Sequence, residues 1–129
     1  VFGFFPSSPN FSDSFFSKGI MNEHSLDTFA EYVNMDNKKT SEFILNINNE
    51  QEKALLKYFQ NLKINTPIYN LTGKSILGGE NCASVISKGI KEIIPHIKLN
   101  EFAPFKLRQD LTKMYINAHP LIKEYNTKN

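Results

Sequence analysis

Apolar and polar positions alternate along the chain with two different periods, and each change of period marks a boundary between predicted elements. Residues 1–5 form a short apolar run closed by a proline, which predicts a buried strand. Residues 40–47 alternate with period two, which predicts a second, half-buried strand. Between them, residues 19–37 are ambiguous: residues 20–21 can end a short strand, and a helical turn can start at Ser25.

Two segments with helical period flank a central loop. Asn49 can cap the first, because Glu52 stands three residues later, as in a capping box. Its predicted buried stripe consists of Leu55, Leu56, Phe59 and Leu62. The other segment begins near Pro104, since proline suits the first turn of a helix. Its predicted stripe consists of Leu107, Leu111 and Met114. The polar residues 123–129 are expected to fray at their end.

The only cysteine, Cys82, lies where a loop containing Gly78 and Gly79 becomes a third helix. Asn81 is a suitable N-cap for this helix, because its side-chain oxygen can accept a hydrogen bond from an early helical N–H group. The helix ends near Ile94, before a proline. Its apolar stripe is predicted to contain Cys82, Val85, Ile86, Ile90 and Ile93.

A thiol in the first turn of a helix can act as a nucleophile. The positive end of the helix dipole favours its ionisation, so the pKa of Cys82 is expected to lie below the free value of about 8.5. Glycines and free N–H groups beside it can hold an oxyanion. The alternative is that Cys82 is a small buried apolar residue without chemistry.

Composition narrows the class of protein. The chain has 129 residues, 40% of them apolar, which fits one folded domain. A net charge of +2 gives no indication of a nucleic-acid or membrane surface, and no apolar run is long enough for a membrane span. One cysteine and three distant histidines do not form a metal site at a usual spacing. Cofactors and metals are therefore not expected. Because the chain begins on Val1 inside an apolar run, residues 1–129 are interpreted as one domain of a fragment.

The order of these pieces resembles a known family. The matching residues are Gly3-Phe4-Phe5-Pro6, Tyr69-Asn70-Leu71, Asn81-Cys82 with Val85 and Ile86, Pro95, and the segment from Pro104 to Leu111. This pattern resembles the circularly permuted papain-like hydrolases related to NlpC-type cell-wall peptidases, above all the toxin domains of bacterial secreted polymorphic toxins. The resemblance implies an α+β fold of the permuted papain-like type. In that fold a small antiparallel sheet packs against helices and the cysteine lies at a helix N-terminus. The loop before Asn81 is longer here than in the family.

In that family the cysteine is the nucleophile and a histidine is the base. The cysteine corresponds to Cys82, but the family's histidine lies on a strand that would precede Val1. The chain would then lack its N-terminal strand. The base could come from the rest of a larger or cleaved polypeptide, from another chain, or from His24, His96 or His119. His24 is preferred among the three because Glu23 is its neighbour.

The resemblance implies a cysteine-dependent hydrolase, of the amidase, protease or acyltransferase kind, that forms an acyl-enzyme on Cys82. It implies a toxin or effector that bacteria secrete and that is delivered into a target cell. Its expected partners are a protein or peptide substrate and an immunity or target protein. The alternative function is a catalytically incomplete papain-like module that binds a protein partner.

Overall fold

The computed structural model describes residues 2–6, 17–23, 40–70 and 78–128. These residues form three helices and five strands, all paired strands being antiparallel, so the predicted α+β class is confirmed. The elements are β1 (Phe2–Pro6), β2 (Ser17–Glu23), β3 (Thr40–Leu45), α1 (Asn49–Ile64), β4 (Ile68–Tyr69), α2 (Cys82–Ile93), α3 (Pro104–Ile116) and β5 (Ile122–Lys128). The papain-like arrangement of that class stays a prediction.

The first sheet has the strand order β1-β2-β4. Strand β1 pairs with β2 from Phe2 opposite Glu23 to Pro6 opposite Gly19, so the predicted N-terminal strand is confirmed. Residues 20–21 lie inside β2 rather than at its end, because β2 continues to Glu23 and pairs with β1 from Gly19 to Glu23. The helical turn predicted from Ser25 lies outside the described residues.

The second sheet consists of β3 and β5. The strand predicted over residues 40–47 is confirmed as β3, and its alternating burial follows the alternating sequence. The fraying expected at the end of residues 123–129 does not reach Lys128, which pairs with Thr40 of β3; Asn129 lies outside the described residues. The ring of Phe43 stacks on Tyr125, with 4.7 Å between centroids and 14° between planes. This cross-strand aromatic pair stabilises a segment whose other side chains are mostly polar.

Helix α1 begins at Asn49, but the capping box lies one residue earlier than predicted. The N-cap is Asn48, whose Oδ1 accepts a hydrogen bond from the Gln51 backbone N–H at 2.8 Å, while Gln51 Oε1 accepts from the Asn48 N–H at 3.0 Å. Glu52 instead lies in the first turn, where its negative charge interacts favourably with the positive end of the helix dipole. Leu56 was predicted to be buried and is 45% exposed, because α1 packs through one narrow face that includes Leu55 and Tyr58.

Helix α2 lies between two apolar clusters, and therefore its buried positions run around most of its circumference. They are Ala83, Ser84, Val85, Ser87, Gly89 and Ile90. At Gly89 a Cβ atom would lie 3.1 Å from Leu55 Cδ1 and from Tyr58 Cε1, so the glycine lets α1 approach closely. The predicted stripe is correct for Val85 and Ile90 and wrong for Ile86, which is 42% exposed.

Helix α3 begins with Pro104 in its first turn, as predicted. Leu107 and Leu111 are buried, and Met114 packs beside them. The larger cluster joins this face of α3 to α2 and to the start of β5; its buried members are Ala83, Ile90, Leu99, Leu107, Leu111, Leu121 and Ile122. The smaller cluster lies on the side of α1 and consists of Met21, Tyr69 and Val85.

Candidate active site

The start of α2 is fixed by a buried capping box. Asn81 Oδ1 accepts a hydrogen bond from the Ser84 N–H at 2.9 Å, and Ser84 Oγ accepts from the Asn81 N–H at 2.8 Å. Asn81 Nδ2 also donates to the Phe102 carbonyl oxygen at 2.7 Å, which connects the cap to the segment before α3. Asn81 is 1% exposed. Cys82 follows Asn81 as the first helical residue. Its backbone is therefore held in place by the capping box and by the hydrogen bond from Asn81 to the segment before α3.

The segment before the cap is held against β4. The Asn70 N–H donates to the Glu80 carbonyl at 2.8 Å, and the Glu80 N–H donates to the Ile68 carbonyl at 2.8 Å. Gly79 has a φ of +91°, and a Cβ atom there would lie 2.8 Å from the Asn70 Cβ. Asn70 Nδ2 also donates to the Gly78 carbonyl at 2.8 Å. Gly79 therefore allows a close approach between two backbone segments, whereas a Cβ atom at Gly78 would meet nothing within 4 Å.

Two opposing influences act on the Cys82 thiol. Burial raises the pKa of Cys82, and the nearby backbone N–H groups of Ala83 and Cys82 act in the opposite direction. Burial is the larger influence, so the expectation of a lowered pKa is wrong for the described residues. The thiol is only partly accessible, since Cys82 is of intermediate exposure. Negative charge that develops on the sulfur would therefore lie near these two N–H groups.

An apolar groove opens beside Cys82. Its volume is about 560 Å³, and its walls come from β3, α2 and α3. The lining residues are Ser41, Phe43, Leu45, Cys82, Ala83, Ile86, Ile90, Pro104, Phe105, Leu107, Arg108 and Leu111. Phe105 is 54% exposed and Ile86 is 42% exposed, so apolar surface remains open to solvent there. Cys82 is the only nucleophilic sulfur in the chain and lies at one end of a surface that could hold an apolar group.

A tyrosine to which the sequence analysis gave no role of its own interacts electrostatically with the thiol. Tyr69 is 8% exposed, and its pKa is raised first by burial and then by the nearby Cys82. Tyr58, which packs against the same cluster as Tyr69, donates its hydroxyl hydrogen to the Val85 carbonyl at 3.1 Å. Burial is the main cause of its strongly raised pKa, and Glu80 is the next. The Tyr-Asn-Leu segment that matches the family was the signal in the sequence for Tyr69, but it did not indicate an interaction with the thiol.

The histidines do not meet Cys82 in the part of the chain that the structure describes. His24 lies outside the described residues. His96 is exposed and follows the far end of α2, a helix of 12 residues and hence about 18 Å in length, so it cannot reach the thiol. His119 is exposed, and its Nδ1 accepts a hydrogen bond from the Leu121 N–H at 3.1 Å. It does not line the groove.

Among the described residues, no group of three or more His, Cys, Asp or Glu side chains could hold a metal ion. Of the helices in the same residues, none has the length and apolar character that crossing a membrane requires.

Comparisons of the chain with protein-family models, with curated proteins and with solved structures found no match. The site is described by three features of the chain: a cysteine at a capped helix start, backbone N–H groups near its sulfur, and an apolar groove beside it.

Proposed function

We propose that the chain is a cysteine-dependent hydrolase of the permuted papain-like type, an amidase or protease-like domain that acts as a bacterial toxin or effector. The observation that carries the proposal is the position of Cys82 as the first residue of the capped helix α2, beside an open groove and with the backbone N–H groups of Cys82 and Ala83 near its sulfur. A substrate carbonyl in the groove would bring its oxygen toward the same N–H groups. Those groups would then stabilise the tetrahedral oxyanion.

The reaction has two stages. The Cys82 thiolate attacks the carbonyl carbon of an amide, thioester or ester; a carbon–sulfur bond forms and the carbonyl electron pair moves to oxygen. When the carbonyl re-forms, the bond to the leaving group breaks, and the protonated base gives its proton to that group. Water then attacks the acyl-enzyme, the carbon–sulfur bond breaks, and the thiolate returns. Acyl transfer follows the same path when another nucleophile replaces water.

The base is the missing part of this scheme. The raised pKa of Cys82 means that the isolated thiol is mostly protonated at neutral pH, so a base has to remove the proton. A histidine from a preceding segment, from another chain, or His24 would fill that role. The same observation favours the second candidate function, a papain-like binding module in which Cys82 is only a wall of an apolar groove that holds a protein partner.

Active-site acylation separates the two functions. The chain is mixed with p-nitrophenyl acetate at pH 7.5, with and without added imidazole as a substitute base, and p-nitrophenolate release is followed. After subtraction of the release that buffer and imidazole cause without protein, a hydrolase gives a rapid release of about one equivalent per chain, faster with imidazole, and the Cys82→Ala chain gives no rapid release. Release at the same rate from both chains, or a rate no faster than that of the urea-unfolded chain, would contradict the hydrolase and favour the binding module.

A further inference from the structure

The groove beside Cys82 continues into a second depression of different character. This second part has a volume of about 670 Å³ and shares Ser41 and Arg108 with the first. Its other lining residues are polar, and they include Thr112, Lys113, Tyr125 and Thr127. Helix α3 provides one wall and the sheet of β3 and β5 provides the other. The complete groove therefore passes from an apolar end at Cys82 to a polar end at Lys113.

The polar end carries positive charge that the described residues do not neutralise. Arg108 and Lys113 are both exposed, and within the described ranges no carboxylate forms an ion pair with either of them. Glu42 and Glu124 occupy the strand positions between those that line the groove, which places them on the other face of the sheet. Asp110 accepts a hydrogen bond from the Asn100 N–H at 2.8 Å, away from the groove.

Tyr125 places a fixed hydroxyl group beside these cations. Its ring is held between Phe43, on which it stacks, and Tyr115, which it meets edge to face at 5.8 Å between centroids. Tyr125 Oη accepts a hydrogen bond from Thr127 Oγ1 at 2.8 Å. This hydrogen bond, together with others from neighbouring hydroxyls and the charge of Arg108, lowers the pKa of Tyr125. A hydroxyl that already accepts in this way can donate its own hydrogen strongly to an anion.

We propose that Arg108, Lys113 and the Tyr125 hydroxyl form an anion subsite, which binds the carboxylate of a peptide whose neighbouring apolar side chain lies in the Cys82 part of the groove. Charge complementarity selects the carboxylate, and the apolar walls select the neighbouring side chain. A peptide fits the polar end better than a lipid does, because a peptide has a donor and an acceptor at each residue for the threonine and serine hydroxyls. As a statement about substrate class, this inference rests on the proposed function, but the binding itself can be tested without catalysis.

The test uses the Cys82→Ala chain, so that no peptide is turned over. Its affinity is measured by calorimetry for two C-terminally amidated peptides, N-acetyl-Gly-Phe-Gly-Glu and N-acetyl-Gly-Phe-Gly-Gln, which differ by one carboxylate. The expected result is that the Glu peptide binds about five times more tightly at low salt, with the preference falling toward one in 1 M NaCl. Replacing Phe by Ala should weaken the binding of either peptide.

Matched variants locate the effect. Arg108→Gln should abolish the preference for the Glu peptide, and Tyr125→Phe should reduce it. Lys106→Gln removes the same charge from an exposed position of α3 that does not line the groove, and it should leave the preference unchanged. Equal binding of both peptides, or equal loss in Arg108→Gln and Lys106→Gln, would overturn the anion subsite. Binding to phosphatidylserine vesicles without binding to either peptide would also overturn it, in favour of a lipid.

The result is independent of the acylation experiment. A chain that shows the Glu preference but no cysteine-dependent release from p-nitrophenyl acetate keeps the subsite and loses the hydrolase. A chain that shows the release but no Glu preference keeps the hydrolase and loses the subsite.

Discussion

The two asparagine caps of this structure provide a controlled comparison of a buried and an exposed capping box. Asn81 at the start of α2 and Asn48 at the start of α1 make the same pair of hydrogen bonds with the residue three positions later. Asn48 is exposed, whereas Asn81 is 1% exposed and also donates to the Phe102 carbonyl. We therefore expect the substitution Asn81→Ala to be much more destabilising than Asn48→Ala.

The magnitudes follow from the bonds that are lost. Removing an N-cap side chain costs about 1 kcal/mol of unfolding free energy, which is the whole effect expected for Asn48→Ala. Asn81→Ala loses the same cap and also leaves the part-buried Phe102 carbonyl without its donor, which adds about 1–3 kcal/mol. The expected total for Asn81→Ala is about 2–4 kcal/mol, a large part of the stability of a small domain.

Urea unfolding followed by far-ultraviolet circular dichroism measures both values, provided that the slope with urea is the same for each variant. A second reading comes from alkylation of Cys82 without urea, which should be faster in Asn81→Ala because the start of α2 frays, and unchanged in Asn48→Ala. The reasoning would be refuted if the two substitutions had equal effects, or if Asn81→Ala lowered the unfolding free energy by less than about 1 kcal/mol.

Two further predictions concern pH and the glycine pair. Because the pKa of Cys82 is raised on folding, its contribution to stability is complete below the ordinary thiol pKa and is lost as pH rises toward the folded value. Between pH 8.5 and 10 the unfolding free energy should therefore fall more steeply in the wild-type chain than in Cys82→Ala, by up to about 1.4 kcal/mol per pH unit. Equal slopes in the two chains would contradict this prediction. Gly78→Ala should cost about 1–2 kcal/mol, the penalty of a left-handed backbone with a side chain. Gly79→Ala should cost more in the same urea titration, because its new Cβ would also collide with β4; equal costs would show that the close approach is not needed.

Local patterns predicted the features whose cause lies in a few neighbouring residues. The cap of α2 at Asn81 and the start of α3 at Pro104 could be identified because capping depends on the backbone of the next three residues. The one error of this kind, the cap of α1, arose where Asn48 and Asn49 are adjacent and each has a possible partner three positions later. Because the capping pattern occurs at both positions, the local sequence does not decide which asparagine is the N-cap.

Features that depend on distant residues could not be predicted in this way. The segment containing Tyr125 looks like a polar end until Phe43 is placed beside it, and no local pattern shows that pairing. The pKa of Cys82 was expected to fall because the helix start is local, but it rises because burial depends on elements that are distant in sequence. Leu56 and Ile86 fit the helical period and remain exposed, since the period says which residues share a face but not whether another element covers it.

The pairing of β3 with β5 also determines when the groove can form. The two strands are roughly 80 residues apart in sequence, so their pairing is among the most non-local in the described structure and is expected to be slow. Both strands contribute to one wall of the polar end, which Ser41 lines on β3 and Tyr125 lines on β5. During synthesis, which adds about 5–20 residues per second, Cys82 leaves the ribosome several seconds before Tyr125 does. A newly made chain therefore exposes its thiol before it has a complete groove, and it can acquire the proposed substrate preference only after β5 has joined the sheet.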